Sequence, residues 1–203
     1  MVAEPVAEVA EATVDEIDTW FVSNANLNSL KDDAQDAHEG ETEEDRIVAR
    51  LLREAGEHEE RERELREQYD DVEEDQRLEI SRQIRQEIEE VIKKYKDAAE
   101  IYDAQGDDES KEAAAENYEN AGDALKRLVD ELKRSGELGE DVREEVKDAL
   151  VAAARAYRQA ANQHDGLEDE DNKVHAERLR DAADECEEAA EEFGFRPGSR
   201  WGR

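Results

Sequence analysis

The stretch EISRQIRQEIEEVIKKYKDAAEIYDAQGDD, residues 79–108, decides the fold. Ile80, Ile84, Ile88, Val91, Tyr95, Ala98 and Tyr102 recur at steps of three and four, which puts them on one stripe of an α-helix. Charged residues fill the remaining faces, and Gln105-Gly106-Asp107-Asp108 closes the run as a turn. Upstream the stripe continues through Leu65, Tyr69, Val72 and Gln76, and before that through Val48, Leu51, Leu52 and Ala55. Thr42, followed by Glu43, Glu44 and Asp45, reads as a helix cap with acids in the first turn. The expectation is one long, charged, coiled-coil-like helix over 41–105, with Gly56 as its weak point. Within it Glu57 to Arg66 is expected to be solvated on all sides and held by Glu–Arg pairs one turn apart. Between Val72 and Ile88 repeated steps of four make the seam drift around the helix.

Downstream, residues 106–194 show three more stripes separated by short breaks. One carries Ala115, Tyr118, Gly122, Leu125, Val129 and Leu132 and ends at Ser135-Gly136. The next carries Val142, Val146, Ala149, Ala153, Tyr157, Ala160 and His164, and Asp165-Gly166 closes it. The last carries His175, Leu179, Ala182, Cys186, Ala189 and Phe193 and stops at Gly194. Short connections imply antiparallel neighbours, so these helical hairpins are expected to complete a bundle with the end of the long helix. Residues 1–40 read as short helices, with Val6, Val9, Thr13, Ile17 and Trp20 on one face. Threonine occurs three times and no period-two run appears, so the class is all-α. Small residues with one Tyr per helix echo loosely between Ala98–Tyr102 and Ala153–Tyr157, but tetratricopeptide signatures are missing.

Composition sets the surroundings. The chain has 203 residues, 61 Asp+Glu against 28 Lys+Arg, and a formal net charge of −33. Its two prolines, Pro5 and Pro197, leave 191 residues without a helix breaker, and alanine occurs 29 times. That is helix-forming composition, whereas acidic disordered tails are rich in Pro, Ser and Gly. Only 9 of the 28 cations are lysine. The acidic surplus, scarce lysine and small apolar residues resemble the proteins of extremely halophilic archaea and their viruses. The resemblance is one of composition and implies molar salt, where the Debye length of about 3 Å removes most self-repulsion. No long apolar run suits a membrane span, and no basic patch suits duplex nucleic acid. The beginning of the chain lacks the pattern of a secretory signal, so a cytoplasmic or virion setting is expected.

Chemistry-bearing patterns are sparse. Carboxylates are abundant, but their placement on polar helix faces gives no separated acid–base pair. The Glu-x-x-His pairs of di-iron bundles do not occur, since Gln35, Ala55, Ala161 and Asn172 stand three before the histidines. His164 and His175 are expected at different heights on adjacent seams, which argues against a shared metal. The lone cysteine, Cys186, sits on an apolar stripe as a small hydrophobe. Phosphate-binding glycine motifs are missing, and the acidic run Asp165 to Asp171 lacks the order of a calcium loop. Catalytic residues, cofactors and metals are therefore all expected to be none.

Two places break the acidic background. Trp20-Phe21 is the single aromatic pair, and residues 195–203 contain no acid but Phe195, Arg196, Arg200, Trp201 and Arg203. Tryptophan and arginine are enriched at interface hot spots, so these seven residues are the expected partner-binding set, with 195–203 a non-helical docking arm. The expectation is a non-enzymatic assembly protein of a halophilic archaeon or its virus, forming a homo-oligomer or multi-protein assembly. Head–tail connector, portal-associated protein and scaffold are its concrete forms, by analogy of architecture. A helical-repeat adaptor in a haloarchaeal cytoplasm is the alternative.

Overall fold

A computed structural model describes residues 42–134, 139–167 and 169–194. Among them lie five α-helices and no strand: α1 Glu43–Asp71, α2 Glu74–Gln105, α3 Asp108–Arg134, α4 Glu140–Asp165 and α5 Glu170–Gly194. The all-α bundle expected from periodicity is the observed class. None of these helices is long and apolar enough to cross a membrane.

The single helix over 41–105 is a correction. The chain breaks at Val72-Glu73, and α1 folds back along α2 as an antiparallel hairpin. Glu73 is extended (φ −68, ψ 155), and its carbonyl accepts the Gln76 amide at 3.0 Å. Charge explains the place of the break. Glu73 and Glu74 sit favourably at the N-terminal end of α2, which outweighs the placing of Asp70 and Asp71 at the negative C-terminal end of α1. Val48 and Leu51 of α1 thus pack on Ala98 of α2, beside Ile101 and Tyr102.

At the next corner Gly106 takes a left-handed φ of 76° and donates to the Tyr102 carbonyl. Asp107 then caps α3. It accepts the Ser110 amide at Oδ1 (2.9 Å) and the Ser110 hydroxyl at Oδ2 (2.8 Å), and these bonds hold its carboxyl below the usual range. Lys133 and Arg134 complement the other end of α3.

Close packing joins α1 to α2, α2 to α3, α3 to α4 and α4 to α5; it does not lead from α5 back to α1. The bundle is therefore an open strip of consecutive antiparallel helices. Ile84, Ile88, Val91 and Val146 are fully buried, with Tyr95, Tyr118 and Tyr157 nearly so. Alanine fills most remaining contacts, including Ala114, Ala121, Ala124, Ala153, Ala160 and Ala183. Small side chains let the helix axes approach, and Gly122 lies directly against the Tyr157 ring. A Cβ there would lie 2.7 Å from Cε1 of Tyr157, whose hydroxyl donates to Asp123 at 2.6 Å.

Candidate functional site

The seven expected partner-binding residues, Trp20, Phe21, Phe195, Arg196, Arg200, Trp201 and Arg203, all lie outside the described residues. Two polar clusters inside the strip take their place as the chemically distinctive features.

The first joins α1, α2 and α3, and it corrects the expectation that Glu57 to Arg66 is solvated on every side. Glu62 is 5% exposed and Glu131 of α3 is fully buried. Arg127 of α3 donates to Glu59 at 3.0 Å and pairs with Glu62 at 3.3 Å. Arg66 pairs with Glu62 at 2.9 Å and donates to Glu131 at 3.2 Å, while the Ser81 hydroxyl of α2 donates to the other Glu131 oxygen at 2.6 Å. Burial raises the Glu59 carboxyl, and the charge of Arg127 only partly offsets it. Tyr69 is flanked by Arg77 of α2 and Arg134 of α3, each guanidinium under 6 Å from its ring centre. This cluster is a polar rivet through three helices.

A sequence signal for it existed. Counting on from Ala55 by four, three and four reaches Glu59, Glu62 and Arg66, so the charges stand on the continuation of the apolar stripe. A charged residue in seam register marks a buried pair rather than a solvated interruption.

The second cluster joins α3, α4 and α5. Glu119 comes from α3, His164 from the last turn of α4, and His175 from the second turn of α5. The Nε2 of His175 lies 2.8 Å from a Glu119 carboxylate oxygen. The two imidazoles meet edge to face with centroids 4.6 Å apart. One nitrogen or oxygen from each of the three residues lies within 4.8 Å of the other two.

The expected difference in height between His164 and His175 is therefore corrected. Side chains tilt toward the N-terminus of their own helix. In antiparallel neighbours the His175 ring consequently leans toward the turn and the His164 ring away from it, and the two offsets cancel. Backbone bonds fix the turn itself: Gly166 donates to Gln163 at 3.0 Å and Leu167 to His164 at 3.1 Å.

Around this trio the field is negative. Glu116 and Asp123 lie about one turn on either side of Glu119; burial, with a further push from the Glu119 charge, raises the Asp123 carboxyl, while Glu116 is exposed. His164 is 7% exposed, whereas His175 and Glu119 are each 31% exposed at the side chain, so the trio has a buried back and an open front. Cys186 is buried, with its thiol raised by burial, as its place on the apolar stripe implies.

No family model, curated protein or solved structure matches the chain.

Proposed function

We propose that the chain is a non-enzymatic protein-binding scaffold of a halophilic archaeon or its virus: an open strip of helical hairpins that carries partner-binding segments. What supports this is the packing order. Each helix packs closely on the next in sequence. Alternate helices are tied by long polar side chains: α1 to α3 through Arg127 and Arg66, α2 to α4 through Gln163 and Asp103, and α3 to α5 through Glu119 and His175. Strips of this kind expose a continuous face along each layer, the arrangement helical-repeat adaptors use to hold partners.

Two roles share the scaffold. The open strip favours a helical-repeat adaptor in a haloarchaeal cytoplasm. The acid-free segment 195–203, with its Trp and three Arg, favours a virion structural or assembly factor such as a head–tail connector, portal-associated protein or scaffold. Light scattering of the full chain and of a chain lacking 195–203, both in molar KCl, separates them. An oligomer of fixed size that dissociates on truncation, with the helical spectrum unchanged, is the assembly outcome. There Trp201→Ala alone should weaken association by roughly 30-fold. A full chain that remains monomeric favours the adaptor. Oligomers that form equally well without 195–203 overturn the docking role of that segment.

A further inference from the structure

We propose that Glu119, His164 and His175 form a binding site for one divalent transition-metal ion of borderline softness, zinc above all, which clamps α3, α4 and α5 at one end of the strip. Two imidazoles and a carboxylate are a donor set that zinc accepts, and the three come from three different helices. Their donor atoms already converge within 4.8 Å. Tetrahedral zinc holds N and O ligands roughly 3.3 Å apart, so modest rotations close the trio around an ion, with the 2.8 Å contact between His175 and Glu119 opening slightly.

A second, independent feature favours metal over a simple hydrogen-bonded pair. The Nδ1 of His164 is 2.7 Å from the Oδ1 of Asn172, and the Nδ2 of Asn172 reaches Asp169 at 3.4 Å. The amide orientation set by Asp169 makes Oδ1 an acceptor, so Nδ1 of His164 carries the proton and Nε2 keeps the lone pair. An oxygen partner that fixes the tautomer of a buried imidazole is what metal-binding histidines have behind them. The exposed edge formed by His175 and Glu119 gives the ion an entry, and Glu116 and Asp123 add negative charge beside the trio. Three protein ligands leave a fourth position for water or for a side chain from a partner.

A chain of net charge −33 attracts any cation, so the test must exclude loose condensation. The full chain is titrated with Zn²⁺ against a chromophoric chelator in molar KCl with excess Mg²⁺, and with Co²⁺ for its visible spectrum. The expected result is one ion per chain and the intense absorption of four-coordinate cobalt. His175→Gln and Glu119→Gln should each weaken zinc at least 10-fold, and Asn172→Ala, a change at a positioning residue, about 10- to 100-fold. His175 is partly exposed, so His175→Gln should keep the helical spectrum and the variant reads binding rather than folding. Zinc binding that Mg²⁺ abolishes, a weak six-coordinate cobalt spectrum, or unchanged affinity in folded His175→Gln and Glu119→Gln would overturn the proposal.

Discussion

Replacing Glu131 by alanine should destabilise the strip by about 3 kcal/mol, and molar salt should not diminish the loss. Glu131 is fully buried, and its two oxygens accept from the Ser81 hydroxyl at 2.6 Å and from Arg66 at 3.2 Å, with Arg134 3.8 Å away. Breaking a buried ion pair typically costs about 3–5 kcal/mol, because the remaining charge is left without compensation. Here Arg66 keeps its 2.9 Å pair with Glu62, and Arg66 and Arg134 are 28% and 45% exposed at the side chain, so the surviving pair and water recover part of the loss and the lower end applies. The Ser81 hydroxyl has no such escape at 2% exposure, which keeps the loss from falling much below about 3 kcal/mol. At molar salt the Debye length is about 3 Å, yet ions cannot enter between Ser81, Arg66 and Glu131, so the effect should persist where surface pairs fade. Arg53→Ala is the control: its pair with Glu57 spans 3.9 Å with both side chains more than half exposed, and its loss should cost under about 0.5 kcal/mol. Urea denaturation followed by circular dichroism at several KCl concentrations reads both variants. A Glu131→Ala loss below about 1 kcal/mol, or one that shrinks with salt as a surface pair does, would refute the reasoning.

Three further outcomes follow from the packing and the charge. Gly122→Ala gains roughly 1 kcal/mol of helix propensity but pushes a methyl to 2.7 Å from the Tyr157 ring, so net destabilisation of about 1–2 kcal/mol is expected in thermal melts. Burial raises the carboxyls of Glu59 and Asp123, so the folded state holds protons there that the unfolded chain has released. Their contribution is fully present below their unfolded values near pH 4 and is lost as pH rises through the folded values, so these groups raise Tm as pH falls toward about 4. Asp107, lowered by its Ser110 hydrogen bonds, acts oppositely, as do Glu54, Glu87 and Glu187, lowered by their Lys94, His58–Arg61 and Arg158 partners, and their contribution should disappear below about pH 4; a Glu59→Gln variant that leaves the pH dependence of Tm unchanged would contradict the assignment. With a net charge of −33, helicity at low ionic strength should be reduced and should return on adding KCl; full helicity with cooperative melting in dilute buffer would contradict the salt requirement.

The stripe of Ile84, Ile88, Val91 and Tyr95 was legible from the sequence, because apolar side chains at helical spacing have no other economical use, and these four are buried. The turn at Gly106 was legible for the same kind of local reason. The break at Val72-Glu73 was harder, since neither glycine nor proline marks it and helix propensity runs through it. Only Glu73 and Glu74, acids suited to a helix N-terminus, read together with the drifting seam, indicate a fold-back. The trio of Glu119, His164 and His175 depends on the meeting of three helices. Spacing along one helix cannot reveal that Glu119 faces a histidine 56 residues away, nor that opposed side-chain tilts bring His164 level with His175.

The two polar clusters have a common physical basis in the smallness of the core. Leu, Ile, Val and Phe number 36 among 203 residues, and the contacts between α3 and α4 are made largely by alanine, which buries little area per side chain. A strip whose ends do not meet has less interior than a closed bundle of equal length, so alternate helices need ties that reach past the helix between them. Long side chains provide that reach: Arg66 and Arg127 span α1 to α3, and Glu119 with His175 spans α3 to α5. In strong salt charged ties survive best where they are shielded from ions, as the pairs of Arg66 and Arg127 with buried Glu131 and Glu62 are. The surface charges and the interior charges therefore act differently. The former lose most of their mutual repulsion in salt, whereas the latter keep their attraction, so rising ionic strength should favour the folded strip through its surface without weakening its interior.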